Sequence, residues 1–171
     1  MDKKEMTASQ VLQILQIFRN IQAQVWLAGG WGVDALVGKQ TRAHSDVDIA
    51  FNMQDEAKII KTFNHLGYSI VEDARPTRFV LREIDGTEID MHPVVFGASG
   101  VGEQLVPNGE PFLYPKDGFV QGIIDGQEVP CVSIDQQVVF HTGYMPLAKD
   151  RHNMKMLHEC LGIKIPDVYG G

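Results

Sequence analysis

Residues 46–51, Asp-Val-Asp-Ile-Ala-Phe, restrict the fold of this chain more than any other stretch. Successive side chains along a strand point to opposite faces, so Asp46, Asp48 and Ala50 share one face and Val47, Ile49 and Phe51 the other. The apolar face belongs in a core. The opposite face holds two acids close together, which repel each other unless a cation lies between them. Upstream, residues 25–28 read as a short buried strand broken by Gly29-Gly30. Residues 31–37 then read as a brief helix that Gly38 can end in a left-handed conformation. A glycine turn feeding a helix N-terminus, just ahead of paired carboxylates, points to a metal-bound phosphate site.

At 171 residues the chain is long enough to bury a core as one domain with at most a small appendage. Its formal net charge of −7 argues against the basic stripe of a nucleic-acid binder, so nucleic acid is not expected as a partner. The opening residues Met1-Asp-Lys-Lys-Glu5 lack an apolar signal core, and no apolar run reaches membrane-spanning length. A cytoplasmic location without a membrane partner is therefore expected. Cys131 and Cys160 form no metal or redox spacing and read as buried free thiols.

The remaining pattern predicts alternating helices and strands. Thr7-Ala-Ser-Gln10 is a capping box, with Met6 and Val11 able to form the staple around it. Val11, Ile14, Leu15, Phe18 and Ile21 continue as a helical apolar stripe. A helix is predicted over 55–66, with Ile59, Ile60, Phe63 and Leu66 inward, and a strand over 68–71. Two strands flank Asp85-Gly86, a two-residue hairpin signal, and a second hairpin turns at Asp125-Gly126. Residues 97–118, rich in Gly and Pro, read as a long loop with room for one short strand. Ser133-Ile-Asp-Gln136 opens a helix to about residue 144, and a last helix starts near Asp150, which is read as its N-cap. The layout is α+β: a catalytic domain over 1–132 built on a mixed sheet with packed helices, and a C-terminal helical segment over 133–171. The C-terminal helices and the long loop are short of neighbours in one small domain, which leaves room for a homodimer.

A third acid stands in Thr87-Glu-Ile-Asp-Met-His-Pro93, where Glu88, Asp90 and His92 share a face by the same alternation. If this strand lies beside the first, Asp90 completes a cluster with Asp46 and Asp48. Three carboxylates with open coordination positions suit Mg²⁺ and suit zinc poorly.

The run Gly29-Gly-Trp31, Asp34, Gly38, Thr41-Arg42, His44, Asp46 and Asp48 resembles the nucleotidyltransferase branch of the DNA polymerase beta superfamily. Within that branch the chain resembles the small antibiotic nucleotidyltransferases, most closely the lincosamide ones. The similarity runs on through Ile89-Asp-Met-His-Pro93 and through Ile134, Phe140-His141, Gly143 and Tyr144. It implies a polymerase beta-like fold in which Asp46 and Asp48 hold Mg²⁺ and the phosphates of ATP. Asp90 would be the third metal ligand, the general base, or both. Many members of the superfamily carry Gly-Ser where this chain has Gly29-Gly30, so the backbone amides of the turn must hold phosphate without a hydroxyl.

The implied reaction moves a nucleoside monophosphate, AMP first among them, from a triphosphate to an acceptor hydroxyl, releasing pyrophosphate. The expected acceptor is a lincosamide. Rival expectations are an aminoglycoside, whose ammonium groups would need pocket acids such as Glu72, Asp73, Glu83 and Glu88, and a non-catalytic domain that binds a protein partner. Arg42 offers a fork that matches phosphate oxygens. His44 reads either as a triphosphate contact or as a solvated loop residue, and Lys149 either as the superfamily's phosphate-contacting cation or as an exposed helix start. Glu88 and His92 are candidates to line the acceptor pocket beside Asp90, and His92 reads equally as a supporting group or a satisfied strand residue. Trp31 is expected to pack its helix against the core.

Overall fold

The computed structural model describes residues 4–170. Its elements run α1 (Ala8–Asn20), β1 (Val25–Ala28), α2 (Gly29–Val37), β2 (Asp46–Asn52), α3 (Glu56–His65), β3 (Tyr68–Ala74), β4 (Arg78–Glu83), β5 (Glu88–Phe96), β6 (Gly102–Gln104), β7 (Phe112–Tyr114), β8 (Phe119–Ile124), β9 (Gln127–Val132), α4 (Ile134–Phe140) and α5 (Ala148–Leu161). The strands form one mixed sheet in the order β3-β4-β5-β2-β1-β9-β8, with β6 and β7 branching from β5.

At its centre β2 lies parallel to β5, in a register that sets Asp46 opposite Glu88, Asp48 opposite Asp90 and Ala50 opposite His92. The apolar pattern enforces that register. Val47, Ile49 and Phe51 are fully buried, as are Ile89 and Met91 on the neighbouring strand. Each such side chain contributes about 1.5–3 kcal/mol by leaving water. A slip of one residue would turn all of them out and drive Asp46 and Asp48 into the core instead. The core on this face is closed by Ile14, Leu15 and Phe18 of α1 and by Ile59 and Phe63 of α3.

Helix α1 starts as its sequence dictates: the Thr7 hydroxyl accepts from the Gln10 amide at 3.2 Å, and the Gln10 side chain accepts from the Thr7 amide at 2.9 Å. Met6 and Val11 are both buried in the adjoining core. A second, smaller apolar cluster of Ala28, Ala50, Val94, Tyr114 and Val132 lies outside that core. Helix α5 packs on α2 in a third apolar cluster. Its Met154 and Leu157, with Tyr169, pack on Val33 of α2.

Several boundaries differ from the sequence expectation, each for a local reason. Gly29 and Gly30 are the first residues of α2 rather than a turn before it. The loop at Asp85-Gly86 has three residues, since the Glu83 amide bonds to the Thr87 carbonyl and a type I turn is closed from Gly86 to Glu83. The second hairpin keeps its two-residue turn, with Ile124 paired to Gln127. Residues 97–118 hold two short strands. Helix α3 ends at His65, which leaves Leu66 47% exposed rather than inward. Helix α4 stops at Phe140, where the His141 and Thr142 amides reach back three residues, to Val138 and Val139, and tighten the last turn. Cys131 is buried, which pushes its thiol pKa up to about 12, whereas Cys160 is exposed.

Candidate active site

The sheet register and the start of α2 meet around a cavity of about 310 Å³. Its described lining includes Gly29, Gly30, Arg42, His44, Asp46, Asp48, His92 and Lys149. Asp48 and Asp90 stand side by side across the β2–β5 pair, and ligand atoms of Asp48, Asp90 and His92 all lie within 4.8 Å of one another. Two carboxylates this close repel by roughly 3–4 kcal/mol at the effective dielectric of a protein surface. Two cations, Arg78 and Lys149, and a hydrogen bond from His92 relieve that repulsion. Arg78 forks onto Asp90, Nε to Oδ1 and Nη2 to Oδ2, both at 3.1 Å, and also pairs with Glu72 at 3.1 Å. Burial raises the Asp48 pKa, but the His92 hydrogen bond and the attraction of the His92 ring, Lys149 and Arg78 outweigh it and hold Asp48 below its ordinary value.

The described residues place the expected triad differently from the sequence reading in one respect. Asp46 lines the same cavity one pleat away, and the compact group of possible ligands contains His92 in its place. The donor set remains dominated by carboxylate oxygen, which fits a hard divalent cation such as Mg²⁺.

Both glycines are required by contact. A Cβ at Gly29 would lie 2.2 Å from Asp48 Oδ2, and its φ of +56° is disfavoured for any other residue. A Cβ at Gly30 would lie 2.5 Å from both Arg42 Nη2 and His44 Nδ1. The missing side chains thus admit the site's own residues, and the N-terminus of α2 opens on the cavity beside the Arg42 guanidinium.

His44 is neither a solvated loop residue nor free to swing. It is 4% exposed, bonds Asp34 Oδ2 through Nε2 at 2.6 Å, and its ring lies 4.6 Å from that of buried Trp31. Asp34 also accepts from the Thr41 amide and hydroxyl, at 3.1 and 2.6 Å, and so ties the loop over residues 41–44 to α2. Arg42 donates through Nε to Asn153 Oδ1 at 3.4 Å and through Nη1 to the Ala43 carbonyl at 2.9 Å. Lys149 lines the cavity at the start of α5. Asp150 is the third residue of that helix rather than its cap, and accepts from the Leu147 amide at 2.8 Å.

Glu88 departs from expectation. It is held by Arg82 at 2.7 Å and is not among the described residues that line the cavity. Four residues that carried no role in the sequence do carry one here: Arg78 on Asp90, Asn153 on Arg42, Gln137 on the Gly29 carbonyl at 3.3 Å, and Gln104 on His92 at 3.2 Å. The one sequence signal for Arg78 was its place twelve residues before Asp90 across a hairpin. The rest come from distant elements and left none.

The family model described as aminoglycoside-2''-adenylyltransferase matches residues 10–157. The chain belongs to that family. It is 33% identical over 157 residues to a lincosamide resistance protein of Staphylococcus haemolyticus, an alignment covering 92% of this chain and 98% of that one. It is 27% identical over 133 residues to a 2''-aminoglycoside nucleotidyltransferase of Klebsiella pneumoniae, covering 78% and 70% of the two chains. Among solved structures it superposes on the lincosamide antibiotic adenylyltransferase LnuA in its lincomycin-bound form with a TM-score of 0.84 and 32% identity, over 92% of this chain and 99% of that one. The fold is thus that of a nucleotidyltransferase, as the sequence resemblance implied. No helix among the described residues is long and apolar enough to cross a membrane.

Proposed function

We propose that the protein transfers AMP from ATP to a hydroxyl of a lincosamide antibiotic, releasing pyrophosphate and inactivating the drug. The observation that carries this reading is the β2–β5 register, which sets Asp90, itself outside the described lining, directly opposite Asp48, which lines the cavity beside Gly29 and Gly30. Asp46, Asp48 and Asp90 are the residues that would hold Mg²⁺. When bound, the ion neutralises charge on the transferring phosphorus and on the departing pyrophosphate. The α2 amides at Gly29 and Gly30, with Arg42 and Lys149, hold the triphosphate in line. Asp90 accepts the acceptor's proton through lone pairs that the Arg78 fork leaves open.

The cavity's character favours a lincosamide over an aminoglycoside. Phe112, Tyr114, Phe140 and Tyr144 line it, whereas Glu72, Asp73 and Glu83 stand on β3 and β4 outside the described lining, and Glu88 is engaged by Arg82. The acids that do line it are Asp46 and Asp48, assigned here to the ion, and Asp150, which accepts from the Leu147 amide, so few carboxylates are left for a polycationic acceptor. The close relatives, one a lincosamide resistance protein and one a lincomycin-bound adenylyltransferase, support the same choice.

The test is Mg²⁺-dependent pyrophosphate release from ATP with lincomycin, with kanamycin, and with neither. Release that requires lincomycin is expected, and a preference for kanamycin would refute the acceptor assignment. Asp90→Asn is expected to lose transfer while nucleotide binding stays measurable; near-normal turnover would remove Asp90 as the base.

A further inference from the structure

His92 is the ambiguous member of the Asp48–Asp90–His92 group, because its Nε2 could either coordinate an ion or donate a proton to Asp48. The answer lies on the far side of its ring. Gln104, on β6 and 7% exposed, makes three contacts through its amide: Nε2 to the Thr77 carbonyl at 3.1 Å, Nε2 to His92 Nδ1 at 3.2 Å, and Oε1 to the Tyr114 hydroxyl at 2.9 Å. The Thr77 oxygen can only accept, so it fixes which end of the amide is NH₂; the reversed amide would set two oxygens against each other. Tyr114 can donate to Oε1 and is itself held, 1% exposed, in a stack on Phe119. The second hydrogen of Nε2 is then aimed at His92 Nδ1, which must accept.

A neutral imidazole that accepts at Nδ1 carries its proton on Nε2. That proton lies 3.1 Å from Asp48 Oδ1 and 3.6 Å from Asp90 Oδ1. We infer that Gln104 is a positioning residue that locks His92 in its Nε2–H form, so that His92 orients Asp48 and stays out of the metal's coordination shell. The inference rests on the proposed role of Asp48 and Asp90 as the residues that hold the ion. It leaves that ion an oxygen-only set, which suits Mg²⁺ and withholds the imidazole that would favour zinc. Supporting partners of this kind typically change metal affinity or activity by about 10–100-fold when removed.

The test is a two-bond ¹H–¹⁵N correlation spectrum of the full chain labelled at histidine nitrogen, in mildly alkaline solution, before and after Mg²⁺ is added. His92 is assigned by its loss in His92→Gln. A pyrrole-type Nε2 and pyridine-type Nδ1, both unchanged by Mg²⁺, are expected. In Gln104→Glu a carboxylate faces Nδ1 in place of the amide donor, so Nδ1 is expected to turn from pyridine-type to pyrrole-type. Gln104→Met, close in shape but without the donor, is expected to show mixed tautomers and a kcat lowered about tenfold with KM for ATP largely kept. A wild-type ring protonated on Nδ1, an Nε2 that loses its proton to Mg²⁺, or full kcat in Gln104→Met would overturn the inference. If Gln104→Glu fails to fold, the wild-type spectrum and Gln104→Met still decide. The spectrum needs no substrate, so it is independent of the acceptor and of whether Asp90 is the base.

Discussion

Replacing Gly29 by Ala tests whether the site depends on the close approach of α2 to β2. The new methyl carbon would sit 2.2 Å from Asp48 Oδ2 and 2.8 Å from its Cγ. An ordinary contact requires the carboxylate to retreat by about 1 Å or the helix start to lift by as much. Asp48 resists retreat, since His92 holds Oδ1 at 3.1 Å and its strand is fixed by the register with β5. The φ of +56° adds left-handed strain of roughly 1–2 kcal/mol. Loss of the charged hydrogen bond adds about 1.5–3 kcal/mol when it breaks outright, so a total of about 2.5–5 kcal/mol is expected. For a chain of this length that lowers Tm by about 5–20 °C. A displacement of about 1 Å at a positioned carboxylate costs roughly 100-fold in turnover. The assay is lincomycin-dependent pyrophosphate release at a temperature where the variant remains folded, alongside calorimetric Tm. A Gly29→Ala protein with wild-type Tm and turnover within about threefold of wild type would show that neither the contact nor the exact place of Asp48 matters.

Other consequences follow from the same geometry. Gly38→Ala meets open space but carries a φ of +85°, so it is expected to cost about 1 kcal/mol in stability and to leave turnover per folded molecule unchanged, as unfolding curves and the pyrophosphate assay would show. Arg42→Ala removes the guanidinium beside Gly30 and is expected to raise KM for ATP by roughly 10-fold or more with a smaller effect on kcat; an unchanged KM would remove Arg42 from the phosphate site. Burial holds the His141 pKa below its ordinary value, with the Gln137 carbonyl and Asp150 offsetting it only in part. The unfolded chain takes up that proton near the ordinary value of about 6.5, so stability is expected to fall as pH drops below it. In His141→Gln the decline of Tm with pH over that range should be shallower, and an identical slope would exclude His141 as its source.

The sequence by itself determined what depends on short-range periodicity. The alternation over residues 46–51 and 88–92 assigned the faces of β2 and β5, because a strand that exposes Val47 or Ile89 forfeits more burial than any other local choice returns. The Thr7 capping box and Gly38 marked helix ends for equally local reasons. What the tertiary structure decided is everything that joins distant segments. The strands β6 and β7, three residues each, are too short to show a period, yet they deliver Gln104 to His92 and Tyr114 to Gln104. Asn153 reaches Arg42 across 111 positions only because α5 packs on α2 through Met154 and Leu157. Glu88 and His44 carry the right chemistry for the cavity, but a salt bridge with Arg82 engages Glu88 away from it and a hydrogen bond with Asp34 fixes His44 in its wall. Local pattern specifies which side of a strand an acid occupies, and packing among remote elements specifies what that acid meets.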